Sequence, residues 1–280
     1  MPDARPIGVF DSGVGGLTVL REMVRRTPTE STIYLGDNAR APYGTRSDDQ
    51  VLEFSTESLD RLVEYDVKAI VIACNTSTAV AIESLRRRYP LPIIGVIRPG
   101  ASAAALATRN GRIGVIATPA TVRSHAYQRA IHDERPEVEV REHPTPTLVP
   151  LVEAGDLSGA AVEATVETAL APLLMVGHDR AGQAEQIDTL LLGCTHYPLL
   201  RPLIAALVGE QVAIVDSATA TASAVAEILA VNGLGSPGDV EPTHRQLTTG
   251  DADAFHTLAA RLFGSAFPEV EQIELAVAAR

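Results

Sequence analysis

The chain reads AIVIACNT at residues 69–76 and TLLLGCTH at residues 189–196. In both stretches a short apolar run of strand-like composition ends at a cysteine, and a segment with helical periodicity follows. These two cysteines, Cys74 and Cys194, are the only ones among the 280 residues. Because equivalent thiols end equivalent strands, the pattern predicts one site with chemistry on both sides of a bound molecule.

Strand-like runs alternate with longer helical segments along the chain, a pattern typical of βαβ units and a mostly parallel sheet. Ser47 and Gln50 have the spacing of a capping box, which predicts a helix over Ser47–Tyr65. A later helix is predicted over Ala252–Leu262, and a surface loop over Met175–Gln186. The predicted strands are Ile7–Phe10, Thr32–Leu35, Ala69–Ala73, Ile93–Ile97, Ile113–Ala117, Val138–Glu142, Thr189–Leu192, Val212–Val215, Arg245–Thr249 and Ile273–Ala276.

The first eight strands form two sets of four with matching spacing. Cys74 and Cys194 lie 120 residues apart, and Ile93 and Val212 lie 119 residues apart. We therefore predict two similar Rossmann-like α/β domains with mostly parallel sheets, related by a pseudo-twofold axis, with the site in the cleft between them. Residues 1–97 and 212–280 are predicted to form the first domain, and residues 98–211 the second. The alternative to a duplication is the regular strand spacing of any α/β chain.

The composition argues against several classes of protein. The net charge is −12 and the longest basic run is Arg86–Arg88, which argues against a nucleic-acid-binding surface. The first residues have no apolar signal-peptide core, and no apolar run is long enough to span a bilayer. We therefore expect a cytoplasmic protein without membrane or nucleic-acid partners. Its thiols should stay reduced there, and they lack the paired spacing of a zinc site, so we expect no metal.

Polar residues follow the predicted strands at their carboxyl ends, where parallel α/β sheets collect functional groups. A cysteine that opens a helix has its thiolate stabilised by free amides and the helix dipole. A buried cysteine at a strand end can also be simply a small apolar side chain. His196, two residues after Cys194, is a candidate to hold or relay a proton, and Asp11 could do the same for Cys74. Glu153 is predicted to lie on a solvated helix face.

The glycine-rich stretch DSGVGG at residues 11–16 has two interpretations. Its glycines do not fit the dinucleotide motif G-x-G-x-x-G, since position 18 is Thr, yet Asp37 stands about where a ribose-binding acid would follow. A dinucleotide-dependent oxidoreductase therefore stays an alternative. Close approach of the backbone to a small carboxylate explains the glycines equally well.

Five segments together resemble a known family. They are GVFDSGVGGLT at residues 8–18, PYG at residues 42–44, VIACNT at residues 71–76, Val152-Glu153, and LGCTHYP at residues 192–198. In this order they resemble the bacterial glutamate racemases of the aspartate/glutamate racemase superfamily, and the resemblance spans nearly the whole chain.

The resemblance implies a cofactor-independent enzyme that interconverts L- and D-glutamate and supplies D-glutamate for peptidoglycan, and so for cell-wall biogenesis and cell shape. Cys74 and Cys194 would be its acid–base residues, with Asp11 assisting Cys74, and with His196 and Glu153 assisting Cys194. Cys194 would act on L-glutamate and Cys74 on D-glutamate. We also expect a homodimer. The residues implied to contact the substrate are Asp11, Ser12, Tyr43, Gly44, Asn75, Thr76, Thr118, Thr195 and His196.

Other functions stay open beside this one. A sister enzyme could racemise aspartate or another small amino acid. A superfamily decarboxylase with one active thiol is disfavoured, because both cysteines are present. In a non-catalytic amino-acid-binding protein, the cleft would hold glutamate and the thiols would be bystanders.

Overall fold

The computed structural model describes residues 2–174, 186–264 and 269–275. The loop predicted over Met175–Gln186 therefore lies outside the described residues, except for Gln186. The strands are β1 (Ile7–Asp11), β2 (Thr32–Gly36), β3 (Ala69–Ile72), β4 (Ile93–Gly95), β5 (Arg112–Ala117), β6 (Glu139–Pro144), β7 (Thr189–Gly193), β8 (Ala213–Asp216), β9 (His244–Thr248) and β10 (Val270–Gln272). The helices are α1 (Leu17–Arg26), α2 (Asp48–Val63), α3 (Asn75–Arg88), α4 (Ile97–Ala107), α5 (Pro119–Ser124), α6 (Ala126–Glu134), α7 (Leu148–Glu153), α8 (Ala160–Leu174), α9 (Arg201–Val208), α10 (Ser217–Val231) and α11 (Ala252–Phe263).

Two sheets are built from these strands. The first has the order β10-β9-β2-β1-β3-β4 and the second the order β6-β5-β7-β8. Every strand pairing among the described residues is parallel. The segment β2-β1-β3-β4 repeats the order of the second sheet, so the topology confirms the predicted repeat of four strands. β9 and β10 extend the first sheet beyond β2.

Helices cover both faces of each sheet, because parallel strands are apolar on both sides and need cover on each. α1, α10 and α11 pack on one face of the first sheet, and α2 and α3 pack on the other. α7, α8 and α9 cover one face of the second sheet, and α4 and α6 cover the other. Within the described ranges, no helix is both long and apolar enough to cross a membrane.

The local signals at helix starts hold well. Ser47 caps α2 through the predicted capping box, since the Gln50 amide donates to Ser47 Oγ and the Ser47 amide donates to Gln50 Oε1, both at 3.3 Å. The strand predicted over Ile93–Ile97 ends earlier, at Gly95, because the following residues already enter α4.

The edge strand predicted over Ile273–Ala276 is wrong, since β10 covers Val270–Gln272 instead. Its partner β9 ends at Thr248, and the amide of Ile273 makes the last hydrogen bond of the ladder to the Thr248 carbonyl at 2.8 Å. No paired strand continues there because the partner has ended. Ala276 itself lies outside the described residues.

The chain returns from the second sheet to the first sheet later along the sequence than expected. β8 pairs with β7 in the second sheet, whereas residue 212 was expected to begin the return to the first domain. Asp216 ends β8 and caps α10, accepting a hydrogen bond from the Ala218 amide at 3.0 Å. We therefore propose that the domains comprise residues 1–97 with 217–280, and residues 98–216.

Candidate active site

Each sheet has a switch point, where the chain order reverses between neighbouring strands: β1 and β3 in the first sheet, β5 and β7 in the second. Open α/β sheets bind ligands beyond the carboxyl ends of strands at such points. Asp11 ends β1 and Cys74 follows β3, while Thr118 follows β5 and Cys194 follows β7. Residues from both switch points line one pocket, so the two halves of the fold meet at a single site.

The pocket wall contains every predicted site residue except Asp11, which is fully buried. Three wall residues were not predicted, namely Ala41, Pro42 and Val149. Val149 lies four residues before Glu153 on α7 and so shares its face, a signal that could have identified it. The predicted residues on the wall are Ser12, Tyr43, Gly44, Cys74, Asn75, Thr76, Thr118, Glu153, Cys194, Thr195 and His196.

Cys74 stands at the N-cap of α3, as the sequence predicts. Its sulfur accepts a hydrogen bond from the Ser77 amide at 3.4 Å, and its thiol donates to Ser12 Oγ at 3.6 Å. Burial raises the pKa of Cys74 to about 11, and the nearby charge of Asp11 adds to this, although the contacts with Ser77 and Ser12 oppose it. Cys74 is therefore a thiol at neutral pH.

Cys194 does not begin a helix, which corrects the prediction. β7 ends at Gly193, and the next regular element is a 3₁₀ turn over Tyr197–Leu200 with Pro198 in its first turn. The partner of the Cys194 sulfur is instead the imidazole of His196, whose Nδ1 lies 3.7 Å away. A helix start therefore stabilises only one of the two thiols, Cys74.

His196 is held in place by Glu153, which the local pattern predicted on a solvated face and the resemblance placed in the site. The imidazole Nε2 lies 2.5 Å from Glu153 Oε1, and the Glu153 side chain is only 30% exposed. Burial alone would lower the pKa of His196, but its contacts with Cys194 and Glu153 outweigh burial and hold the pKa well above its usual value. A cationic imidazolium thus lies between the Cys194 sulfur and the Glu153 carboxylate and donates a hydrogen bond to each.

Asp11 forms hydrogen bonds with residues of both domains. Its carboxylate accepts hydrogen bonds from the Gly13 amide at 3.0 Å and from the Thr195 hydroxyl at 3.4 Å. Burial raises the pKa of Asp11 to about 6, although the charge of His196 opposes the rise. Asp11 is accordingly mostly ionised at pH 7.

In the described part of the chain, no three His, Cys, Asp or Glu side chains come together as metal ligands would.

Hydroxyl groups of the two halves of the fold meet beside the pocket. The Thr76 and Thr118 hydroxyls lie 2.9 Å apart across the cleft, and Thr121 lies 3.0 Å from Thr118. The Tyr43 hydroxyl donates to the buried carboxylate of Asp37. Burial, reinforced by the charge of Asp37, raises the pKa of Tyr43 well above its usual range, so Tyr43 stays neutral.

Three glycines let the first domain approach the second across the cleft. A Cβ atom on Gly15 would lie 2.5 Å from both His196 Nδ1 and Thr195 Oγ1. A Cβ on Gly13 would lie 3.1 Å from Glu153 Oε1, and one on Gly44 would lie 2.6 Å from the Cβ of Thr118. Gly13 and Gly15 of the DSGVGG stretch are thus explained by contact with side chains of the second domain, whereas a Cβ on Gly16 would lie 2.5 Å from the Cβ of Asp11 within the first domain.

A family model and curated relatives match this chain over most of its length. The model described as Asp/Glu/Hydantoin racemase matches residues 7–225. A glutamate racemase of Neisseria meningitidis is 47% identical over 272 residues, which is 97% of each chain.

Solved structures agree with these matches. Glutamate racemase isoform RacE1 from Bacillus anthracis superposes with a TM-score of 0.91 at 42% identity, covering 97% of this chain and 98% of that one. Glutamate racemase from Francisella tularensis, solved with D-glutamate, superposes with a TM-score of 0.86 at 33% identity, covering 98% and 99%. The predicted fold of two α/β domains is confirmed by these structures.

The contact at Gly15 gives a direct test of the site geometry. In Gly15→Ala the new methyl group would overlap His196, so we expect the imidazole to move away from Cys194 and Glu153 and its pKa to fall toward the usual value. Overpacking of this kind also costs roughly 1–3 kcal/mol of stability. Imidazole NMR titration and thermal unfolding measure the two effects.

The matched control is Gly235→Ala, where an added Cβ meets open space. It should change neither the titration of His196 nor the unfolding temperature by a comparable amount. The same titration and stability in Gly15→Ala as in the unsubstituted chain would contradict the geometry.

Proposed function

Because the chain belongs to the Asp/Glu/hydantoin racemase family and is therefore an isomerase, we propose that it interconverts L- and D-glutamate. The relatives named above are glutamate racemases, and one of them was solved with D-glutamate. The observation that carries the proposal is a single pocket with two thiols at equivalent strand ends and with different partners.

Inversion at the α-carbon requires removal of the proton from one face and return of a proton to the other. A single fixed base does this poorly, whereas two acid–base groups on opposite sides can do both steps. One must begin as thiolate and the other as thiol, and the roles exchange with direction. Cys74, with its pKa raised to about 11, suits the acid role. Cys194, beside the cationic His196, suits the base role.

The resemblance assigns L-glutamate to Cys194 as base. The proton taken by Cys194 stays close to the His196 imidazole, which Glu153 keeps oriented. Cys74 then delivers its own proton to the other face of the carbanion and gives D-glutamate. In the reverse direction Cys74 removes the proton, and the main-chain donor at Ser77 stabilises the thiolate so formed. Asp11 acts on Cys74 through its charge.

The carbanion needs stabilisation, since this mechanism uses no cofactor to delocalise the electrons. Oriented hydrogen-bond donors serve this purpose when they face the carboxylate on which charge develops. Asn75, Thr76, Thr118 and Thr195 line the wall and carry such donors, and Ser12, Tyr43 and Gly44 complete the substrate contacts. Short polar side chains at strand ends can thus bind an anion despite the net charge of −12.

The cellular role follows from the resemblance of the sequence motifs. The enzyme works in the cytoplasm as a homodimer and supplies D-glutamate for peptidoglycan, which places it in cell-wall biogenesis and the maintenance of cell shape.

A racemisation assay tests the proposal. Incubation of the protein with L-glutamate in buffer alone should bring the optical rotation to zero, and the same should follow from D-glutamate. L- and D-aspartate are the comparison substrates and should react far more slowly. Faster turnover of aspartate would contradict glutamate as substrate, and thermal stabilisation by glutamate without any racemisation would favour a binding protein.

The two cysteines can be tested one at a time. Cys74→Ala and Cys194→Ala should each lower the racemisation rate by at least about 10²–10⁴-fold, the usual contribution of a positioned acid or base. The control is Ser58→Ala, a buried small side chain on α2 that bonds only locally, to the Phe54 carbonyl. It should leave the rate unchanged. Full activity in either cysteine variant would contradict the two-thiol mechanism.

A further inference from the structure

Tyr127 lies between the two strand ends that carry the cysteines. This α6 residue is fully buried, and its hydroxyl donates to Asn75 Oδ1 at 2.6 Å. Asn75 directly follows Cys74 and lies on the pocket wall. The Tyr127 ring also packs against Gly193, the residue just before Cys194. A Cβ atom added to Gly193 would lie only 2.9 Å from Tyr127 Cε2. One rigid side chain therefore contacts the neighbours of both thiols.

Ser217 completes the network around the Tyr127 hydroxyl. Its Oγ lies 3.1 Å from the Tyr127 oxygen, and it is the first residue of α10, just after the chain returns from the second sheet. If Ser217 donates to Tyr127, then Tyr127 is free to donate to Asn75, and each hydroxyl has one defined role. Burial raises the pKa of Tyr127, so the hydroxyl remains a neutral donor.

We propose that Tyr127 is a positioning residue that fixes the orientation of the Asn75 amide for binding of the amino-acid substrate. A side-chain amide accepts hydrogen bonds at oxygen and donates them at nitrogen. With the oxygen occupied by Tyr127, the group left for the pocket is the NH₂, which suits a carboxylate because a carboxylate only accepts. This inference rests on the proposed function, since a glutamate carboxylate is the partner it serves.

The link also spans the cleft between the two halves of the fold. Tyr127 belongs to the second α/β unit, whereas Asn75 and Ser217 belong to helices α3 and α10, which pack on the first sheet. The hydrogen bond to Asn75 therefore forms only when the two halves are together. Asn75 is oriented at the same time as the two thiols are brought to one pocket.

Tyr127→Phe removes the hydroxyl and keeps the ring that packs against Gly193. We expect the KM for both glutamate enantiomers to rise about tenfold, because the amide is no longer held, while kcat changes by less than threefold. The reaction has an equilibrium constant of one, so kcat/KM must fall equally in both directions. The control is Tyr89→Phe. Tyr89 lies at the C-terminal end of α3, away from Asn75, and its hydroxyl donates to Asp60. This variant should leave KM unchanged.

A double-mutant cycle with Asn75→Ala separates positioning from general stability. In the Asn75→Ala background, Tyr127→Phe should have no further effect on KM, because the group that Tyr127 orients is already absent. Independent, multiplying effects of the two substitutions would show a merely structural role and would overturn the inference.

A readout that needs no activity distinguishes this inference from the proposed function. The side-chain amide signal of Asn75 in ¹⁵N NMR can be identified by its loss in Asn75→Ala. It should shift in Tyr127→Phe and also in Ser217→Ala. The Ser217 variant tests the network if Tyr127→Phe does not fold. An unchanged amide signal overturns the inference even if the enzyme racemises glutamate. A shifted signal in a protein that does not racemise glutamate contradicts the proposed function and leaves the positioning of Asn75 supported.

Discussion

The contact of Gly15 with His196 and Thr195 across the cleft is the constraint on which the rest of the site depends. At a distance of 2.5 Å from a Cβ position to both side chains, no residue with a side chain fits there. This approach brings together, at their switch points, two sheets that share the order of four strands. Each sheet then supplies half of one pocket, and neither half contains both thiols.

The repeated fold nevertheless gives its two thiols different surroundings. Cys74 caps a helix and accepts a hydrogen bond from a main-chain N–H group, which carries only a partial positive charge. Cys194 is followed by a non-helical segment and has the imidazolium of His196, a full charge held by Glu153. Charge-assisted hydrogen bonds are roughly twice as strong as neutral ones. A nearly symmetric scaffold thus acquires the asymmetry that a chiral substrate demands, through a difference of a few residues after one strand.

The parts of this structure that depend on neighbouring residues could be predicted from the sequence. Alternation of apolar runs and helices predicted the strands, and local spacing predicted the capping box at Ser47 and the cap at Cys74. The spacing of Ile93 and Val212 also predicted β8 as the fourth strand of the second set, and β8 does pair with β7. The boundary expected at residue 212 was inconsistent with this repeat, because it set β8 in the first domain.

Contacts between distant parts of the chain do not follow from local patterns, and only the family resemblance grouped Glu153 with His196. Glu153 and His196 are 43 residues apart, and Asn75 and Tyr127 are 52 apart. An acid or a tyrosine on an amphipathic helix has the same local pattern whether it is solvated, buried or functional. The glycines at residues 13 and 15 were predicted to let the backbone approach a small carboxylate, and only the fold shows that side chains of the second domain lie against them.

The measurement that tests the two-thiol account most directly is the position of deuterium early in the reaction of L-glutamate in D₂O. If separate thiols remove and return the proton, the first D-glutamate formed carries deuterium at the α-carbon, and the remaining L-glutamate carries almost none. Equal deuterium in the recovered L-glutamate, or protium retained in the D-glutamate, would mean that one base serves both faces and would contradict the account.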